Sequence, residues 1–166
     1  MKILHIADVH FRGQSRHDEY RTVFDRVCAE AKRLNVDRIF VGGDIFHTKT
    51  AGISPEYIRE LAEWINKLSD CAPVVMILGN HDGNLSNFSR LDAVTPIVDI
   101  IKNSKKNVDL YKNSGVYSAD FILEDGTPVN WCVFSLFDQK SWGDVSPQDS
   151  AFNIACYHGA VSGCRL

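Results

Sequence analysis

The first half of the chain alternates short apolar runs with longer amphipathic segments. Three apolar runs, at residues 2–7, 38–41 and 74–78, have the length of buried strands. Between them, apolar residues recur at helical spacing over residues 16–34 and again over residues 55–68. This order of strand, helix, strand, helix, strand predicts a parallel sheet with helices packed on its faces.

Local signals support the limits of both helices. Ser15, with Asp18 three residues later, forms a capping-box pattern at the start of the first helix. Asn35 is a residue type that ends helices in the left-handed conformation. Ser54 followed by Pro55 is the favoured order of N-cap and first helical residue, so we expect the second helix to begin there.

The second half of the chain predicts β structure. Residues 116–123 and 129–136 are strand-like, and Glu124-Asp125-Gly126-Thr127 between them is a strong hairpin signal. Residues 152–156 form a further short apolar strand. We expect loops in three polar stretches, at residues 84–89, 102–107 and 139–150.

Composition is that of a soluble domain. At 166 residues, 45% apolar and 23% charged, the chain is most simply one domain. The formal net charge of −3 neither indicates nor excludes nucleic-acid binding. Five cysteines without a C-x-x-C pair favour a reducing compartment over a disulfide framework or a zinc ribbon. No apolar run approaches the ~20 residues of a membrane span, so we expect a cytoplasmic protein, in the host cytoplasm if phage-encoded.

A polar cluster follows each of four apolar runs. Such strand ends meet at one edge of an open α/β sheet, where carboxylate, amide and imidazole side chains can converge. Oxygen and nitrogen donors on one edge are typical of a divalent-metal site. The sequence therefore predicts a metal centre built from Asp8-Val9-His10, Gly42-Gly43-Asp44, Gly79-Asn80-His81-Asp82 and Tyr157-His158-Gly159.

The residue types in these clusters suit two cations. Asp8 and His10 lie two residues apart, so on an extended backbone their side chains share a face. The carboxylate of Asp44 could bridge two ions, while Asn80 and His158 offer an amide oxygen and an imidazole. Two ions roughly 3.5–4 Å apart activate a water and clamp the oxygens of a phosphoryl group, which indicates phosphoester hydrolysis.

Structural roles compete with this interpretation. A single Asp or His at a strand end is more often a turn residue, so the prediction rests on the joint occurrence of four clusters. His81 need not bind metal and could protonate a leaving group. We expect Asp82 to hold its loop or orient a ligand, and His5 to be a hydrogen-bonded interior residue. Four arginines could contact phosphates or lie on a solvated face: Arg12, Arg16, Arg21 and Arg90.

These motifs resemble the signature of the calcineurin-like metallophosphoesterases, which runs D-x-H, G-D, G-N-H-D/E and then later histidines. Within that superfamily the chain is most similar to the SbcD-type nucleases of DNA double-strand-break repair, particularly their phage recombination branch. The likeness is densest in residues 1–100. It is carried by Ile6-Ala7-Asp8-Val9-His10-Phe11-Arg12, Arg16-His17-Asp18-Glu19-Tyr20-Arg21, Gly43-Asp44-Ile45-Phe46-His47-Thr48-Lys49 and Leu78-Gly79-Asn80-His81-Asp82-Gly83-Asn84-Leu85.

The resemblance implies an α/β fold of the metallophosphoesterase type, a β-sandwich core flanked by helices in four layers, α/β/β/α. It also implies a hydrolase that uses two divalent metal ions, most simply Mn²⁺. Asp8 and His10 would hold the first ion. Asn80 and His158 would hold the second, and Asp44 would bridge the two.

The resemblance further assigns two histidines to catalysis. His81 would assist the leaving group, and His47 would be a second histidine that tunes nuclease activity. His47-Thr48-Lys49 stands where Ser/Thr protein phosphatases of the superfamily carry Asp-Arg-Gly, which favours a nuclease. The implied substrate is DNA ends. The implied partner is an SMC-like ATPase subunit of the SbcC type, and a homodimer through the helices would be usual for such families.

One departure from the family pattern concerns the last residues. The family completes its site with a G-H-x-H pair, and no such pair follows His158. We therefore expect residues 1–166 to be the metallophosphoesterase domain of a longer protein, incomplete at its C-terminus and without capping domain or partner-binding helices. Two alternatives to a DNA nuclease stay open: a phosphodiesterase acting on small nucleotides or other phosphoesters, and a metal-poor, non-catalytic scaffold.

Overall fold

The computed structural model describes residues 1–12, 16–47, 53–104 and 107–163. The proposed capping role of Ser15 and the Thr48-Lys49 part of the His47 motif lie outside these ranges. Within them, the chain forms two β-sheets and a layer of α-helices.

The first sheet is parallel and carries the helices. Its strands are β1 (Ile3–Ile6), β2 (Arg38–Val41), β3 (Val74–Ile77) and β4 (Val108–Tyr111), and the helices that connect them are α1 (His17–Leu34), α2 (Pro55–Ser69) and α3 (Thr95–Asn103). The strand order is β1-β2-β3-β4, so each crossover adds a strand on the same side. All four strands therefore end at one edge, which the sequence predicted for β1, β2 and β3.

The second sheet contains β5 (Gly115–Ile122), β6 (Pro128–Phe134) and β7 (Phe152–Tyr157). β5 and β6 form the predicted hairpin, closed by a hydrogen bond from the Leu123 N–H to the Thr127 carbonyl at 2.8 Å. β7 then lies parallel to β6, and this direction brings the chain to His158.

The two sheets pack face to face, with the helices on the far side of the first sheet. Val41 and Met76 belong to the core between that sheet and the helices, whereas Phe40 and Val75 face the second sheet. Phe40 stacks on Trp131 of β6 with ring centroids 5.6 Å apart. This α/β/β arrangement confirms the predicted α/β fold class, and no α-helix follows α3 in the described residues.

The helix ends follow the signals in the sequence. The Tyr57 N–H donates to the Ser54 hydroxyl oxygen at 3.5 Å, so Ser54 caps α2 as expected. Asn35 adopts φ 49° in the left-handed region and ends α1, which also confirms the prediction. Among the described helices, none has the length and apolar character that crossing a bilayer would require.

Three elements were not predicted. α3 extends to Asn103, so the loop expected at residues 102–107 begins with the end of a helix, and β4 follows it. α3 has only nine residues, which gives too few turns for a clear apolar period. The loop expected at residues 139–150 begins with the 3₁₀ helix Gln139–Asp144.

The first and last strands are less buried than the apolar pattern indicated. β2 and β3 are buried almost throughout, whereas β1 and β7 are the edges of their sheets and are half-exposed. His5 is exposed, which corrects the expected interior position. The second sheet does not cover this edge, so a side chain on β1 meets solvent there.

Candidate metal centre

Three residues of the centre, two aspartates and one histidine, have left-handed backbone conformations. Asp8, His10 and Asp44 have φ of 54°, 46° and 52°, although none is glycine. Hydrogen bonds hold these turns together, with the Asp8 N–H on the Gly43 carbonyl at 3.1 Å and the His10 N–H on the Asp44 carbonyl at 2.9 Å. Such conformations cost about 1 kcal/mol or more each and concentrate at functional sites.

Asp44 lies at the middle of the centre. Its side chain is buried, and Oδ1 accepts a hydrogen bond from the His81 N–H at 2.8 Å. Oδ2 lies 3.6 Å from Nε2 of His10 and 3.4 Å from Nε2 of His158. Nε2 of His10 is also 3.8 Å from Oδ1 of Asp8. One carboxylate therefore contacts donors that come from the ends of β1, β3 and β7.

Two groups of potential ligands share Asp44. His10, Asp44 and His81 bring one ligand atom each within 4.8 Å of one another, and so do Asp8, Asp44 and His158. The sequence predicted that these residues meet at one edge but paired Asp8 with His10, not with His158. The structure therefore brings Asp8, His10, Asp44 and His158 together and adds His81 to the candidate ligands.

Backbone carbonyl groups fix the orientation of two imidazoles. Nδ1 of His158 lies 2.7 Å from the Gly42 carbonyl oxygen, and Nδ1 of His81 lies 2.7 Å from the His47 carbonyl oxygen. A ring nitrogen at this distance from a carbonyl is the protonated donor, so Nε2 of each ring keeps its lone pair. Both rings are thus oriented as metal ligands or as hydrogen-bond acceptors.

His47 lies at the rim of the same centre. Its ring is 5.6 Å from that of His10 and stacks on that of His81 with centroids 6.1 Å apart. Burial lowers the pKa of His47, and the positive charge of Arg12 lowers it further, followed by His10 and His81. His47 is therefore neutral at pH 7, and its Nδ1 is buried without a hydrogen-bond partner among the described residues.

Asp82 holds the loops of β2 and β3 together, as the sequence predicted. Its buried carboxylate accepts hydrogen bonds from the N–H groups of Ile45 at 2.9 Å, Phe46 at 3.1 Å and Gly79 at 2.8 Å. Burial raises the pKa of Asp82 to about 6 and nearby Asp44 adds to the increase, while the three N–H bonds oppose it. Asp82 thus positions Asp44 through the backbone.

The glycines at the strand ends allow the two loops to touch. A Cβ on Gly79 would lie 2.2 Å from both the nitrogen and Oδ1 of Asp44. A Cβ on Gly43, which has φ 92°, would lie 2.6 Å from the nitrogen of Gly79. Only glycine fits at these contacts, and this close approach lets the His81 N–H reach Asp44.

The remaining predicted residues have different surroundings. Asn80 precedes His81 in the turn after β3 and is half-buried, and its side chain makes no hydrogen bond within the described part of the chain. Arg16 pairs with Glu19, and Arg21 pairs with the buried Glu60, so both belong to helix contacts. No sequence signal could have revealed the Gly42 and His47 carbonyl acceptors, because every residue carries that group.

A divalent cation fits this donor set. The two groups contain carboxylates and imidazoles and no thiolate. The Asp44 side chain is buried, and its Oδ2 faces the Nε2 atoms of His10 and His158 at 3.6 and 3.4 Å. Buried charges of this kind are normally paired or bound to metal. Nδ1 of His10 is also buried without a partner in the described ranges.

The chain is similar to parts of longer proteins in other organisms. The chain is 39% identical, over 98% of its length, to an uncharacterized protein of Acanthamoeba polyphaga mimivirus, of which it covers 12%. It is 36% identical over 58% of its length to a subunit of the nuclease SbcCD of Bacillus subtilis, covering 25% of that protein. It is 27% identical over 75% of its length to the DNA double-strand break repair protein Mre11 of Archaeoglobus fulgidus, covering 31%. The chain thus spans less than a third of each.

The family match covers nearly all of the sequence. A model of the calcineurin-like phosphoesterases matches residues 1–164, a range that includes both sheets and every residue of the centre. That family binds divalent metals, in agreement with the two donor groups that share Asp44. The chain belongs to the calcineurin-like phosphoesterase family.

Proposed function

We propose that this chain is the phosphodiesterase domain of a DNA nuclease subunit that works with two manganese ions. The observation that carries the proposal is the position of Asp44, whose Oδ2 faces His10 on one side and His158 on the other. A carboxylate shared in this way is suited to two ions held close together. The similarity to nuclease and double-strand-break repair proteins supports DNA as the substrate.

The proposed ligands are the five predicted ones. Asp8 and His10 would bind the first ion, and Asn80 and His158 the second, with Asp44 shared. The distances of 3.8 Å from His10 to Asp8 and 3.6 Å from His10 to Asp44 support a common ion for these three residues. The hydrogen bond from Nδ1 of His158 to the Gly42 carbonyl turns Nε2 towards Asp44. This orientation supports His158 as a ligand of the second ion.

His81 and His47 are proposed as catalytic groups. Two bound divalent ions would polarise the phosphoryl oxygens and supply a nucleophile at neutral pH. The Nδ1 proton of His81 is held by the His47 carbonyl, so proton transfer would take place at Nε2. As an imidazolium the ring would donate its Nε2 proton to the leaving oxygen and return to the neutral form. The imidazole of His47 and the guanidinium of Arg12 would contact the phosphate backbone at the rim of the metal centre.

The proposal extends to the protein of which this chain is a part and to its partners. The chain covers 25% of the Bacillus subtilis relative, whose name marks it as part of the SbcCD nuclease. We accordingly propose that residues 1–166 form one domain of a longer protein. Its partners would be DNA and an SMC-like ATPase subunit of the SbcC type, in a role in recombination or repair, with a homodimer as the simplest assembly.

Hydrolysis assays test the function. The purified protein is incubated with Mn²⁺ or EDTA and three substrates: a DNA oligonucleotide with free ends, a cyclic nucleotide and a dinucleotide. We expect Mn²⁺-dependent cleavage of the oligonucleotide and at least a tenfold loss in Asp44→Asn, with no change in Asp149→Asn, an exposed control. Preferential turnover of the small substrates would instead favour a nucleotide phosphodiesterase.

Metal analysis separates an enzyme from a scaffold. Equilibrium dialysis against Mn²⁺ followed by elemental analysis should give about two ions per chain. Asp44→Asn should lose both ions, whereas His81→Ala should keep its metal content and lose turnover if His81 acts as an acid. Near-zero metal in the wild-type protein would refute the proposed centre.

A further inference from the structure

An exposed aromatic and aliphatic patch lies beside the metal centre. The loop that follows Asp82 exposes three large apolar side chains, Leu85, Phe88 and Leu91, with Phe88 61% accessible to solvent. None of them takes part in the centre described above. Exposed apolar groups clustered on one loop of a soluble domain are typical of binding surfaces.

Phe88 pairs with a second ring that contacts the loop of the metal centre. The rings of Phe88 and Phe137 meet edge to face with centroids 6.1 Å apart. Phe137 packs on Gly83 so tightly that a Cβ there would lie 2.7 Å from the ring. Gly83 is two residues from His81, roughly 7 Å of extended chain at most, so the aromatic pair adjoins the proposed catalytic group.

The space around the two rings is large enough for a base. A cavity of about 560 Å³ is bounded by Leu85, Phe88 and Phe137 on the apolar side and by Asn113, Asp138, Gln139 and Lys140 on the polar side. This volume lies within the range of sites that hold small ligands. The combination of ring faces with amide and ammonium groups suits a ligand that is flat, polar at its edges and negatively charged nearby.

Cationic and acidic side chains lie together at this patch, and neighbouring donors hold the acidic ones. The carboxylate of Asp138 accepts hydrogen bonds from the Ser114 N–H at 3.0 Å and from the Ser141 hydroxyl at 2.9 Å. Arg90 and Lys140 make no ion pair with a described residue, and Lys112 lies 3.8 Å from Asp92. The Asp92 carboxylate is satisfied by the N–H groups of Val94 and Thr95, at the start of α3. Two cations thus stay available beside the rings, although the chain as a whole is acidic.

We propose that the exposed ring of Phe88, held edge to face by Phe137, stacks on an unpaired base of a nucleic-acid strand, while Arg90 and Lys140 contact its phosphates. Aromatic faces bordered by cations are the usual means of binding single strands without sequence preference. Within a duplex both faces of a base are covered by its neighbours, so the substrate class is a single strand or a frayed end. The proposal rests on the proposed function, because the bound strand would lead from this patch to the metal centre.

Oligonucleotide binding in EDTA tests the stacking directly. Fluorescence anisotropy compares a fluorescein-labelled oligo(dT) with an abasic strand of the same length, for wild type, Phe88→Ala, Phe88→Trp and the control Phe152→Ala. Phe152 is 52% exposed at the start of β7, on the other sheet. We expect Phe88→Ala to weaken oligo(dT) binding at least fivefold and abasic binding little, Phe88→Trp to retain affinity, and the control to match wild type.

The phosphate contacts have their own control. Arg90→Gln and Lys140→Gln should weaken both strands equally and reduce the salt dependence of binding, whereas Arg26→Gln, on the exposed surface of α1, should not. Unchanged oligo(dT) affinity in Phe88→Ala would overturn the proposal. So would an equal loss for the abasic strand. A change of oligomeric state without any change in DNA binding would also overturn it and would assign the patch to a second copy.

Hydrolysis of the abasic strand by the wild-type protein with Mn²⁺ separates this proposal from the proposed function. That strand has no aromatic base, so its cleavage reports the metal centre and not the stacking site. Normal hydrolysis together with unaltered oligo(dT) binding in Phe88→Ala would refute the stacking site and leave the metal centre intact. Lack of hydrolysis in wild type, with Phe88-dependent binding of oligo(dT), would refute the centre and retain the stacking site.

Discussion

His158 donates its Nδ1 proton to the carbonyl oxygen of Gly42, 2.7 Å away, and so ties the end of the second sheet to the first. This bond decides which ring nitrogen faces Asp44. A backbone acceptor also holds the ring in place more rigidly than a side chain would, because the Gly42 carbonyl is fixed by the end of β2. The fold itself thus sets the tautomer of a proposed ligand.

Removal of the His158 ring should reduce metal binding without unfolding the protein. His158→Ala is expected to retain about one Mn²⁺ per chain instead of about two, because only one side of Asp44 loses its imidazole. Elemental analysis after dialysis measures the metal, and circular dichroism monitors the fold. His5→Ala is the control, since His5 is exposed on β1. Full metal content in His158→Ala would show that this histidine binds no ion.

A methyl group on Gly79 should disrupt the metal centre by displacing Asp44. The new Cβ would lie 2.2 Å from Asp44, so Gly79→Ala must separate the β2 and β3 loops. We expect a loss of about 1–3 kcal/mol in the free energy of unfolding and at least tenfold weaker Mn²⁺ binding. Urea unfolding and titration calorimetry measure both. Gly143→Ala, with no atom within 4 Å of the added carbon, should match wild type in both respects.

The pH dependence of stability in EDTA should reveal Asp82. Burial raises its folded-state pKa to about 6 from the ordinary value of 3.8. The folded state therefore binds this proton more tightly than the unfolded state. The resulting stabilisation is complete below pH 3.8 and is lost as the pH rises through about 6. This difference in the pKa of Asp82 corresponds to at most about 3 kcal/mol in the free energy of unfolding.

Asp82→Asn isolates this effect because it removes the titration and keeps a carbonyl oxygen for the Ile45 and Phe46 N–H groups. Its loss of the bond from the Gly79 N–H lowers stability by an amount that does not change with pH. Urea unfolding between pH 4 and pH 7 should show the asparagine variant gaining stability relative to wild type as the pH rises. Asp149→Asn, at an exposed position, should show a constant difference. A constant difference for Asp82→Asn as well would contradict the raised pKa.

Arg12 should influence the titration of His47. Burial is the main cause that lowers the pKa of His47, and the charge of Arg12 is the next. Arg12→Gln removes that charge and should move the pKa of His47 upward, towards its ordinary value. Nitrogen chemical shifts of the imidazole, followed by NMR in the metal-free protein, report the change. Arg26→Gln is the matched control, and an identical His47 titration in all three proteins would exclude the effect.

Sequence patterns predicted the scaffold well where periodicity and topology act together. The apolar runs and two long amphipathic helices determined a parallel sheet, and its topology then required Asp8, Asp44 and the 79–82 motif to share one edge. α3 was missed because nine residues carry little periodic information, and β4 was missed because Asp109 interrupts its short apolar run. Burial of β1 was overestimated, since an apolar run does not reveal whether a strand lies at an edge.

Details of the centre depend on contacts that sequence does not encode. The grouping of Asp8 with His158 requires the second sheet to dock at a particular position, which no local pattern specifies. The Gly42 carbonyl orients the ring of His158, which is 116 residues further along the chain. The His47 carbonyl orients the ring of His81, which is 34 residues further along. Both contacts exist only because folding brings these loops together. The contact of Phe137 with Gly83 likewise follows from tertiary packing alone.

The bond between His158 and Gly42 also has a consequence for folding. Its two residues are 116 positions apart, so a partly folded chain with only the first sheet formed lacks it. Closing a loop of that length is among the last and entropically most demanding steps of folding. Metal bound through His158 would stabilise only molecules that have completed this step. Occupancy of the ion bound through His158 would then report how much of the population is fully folded.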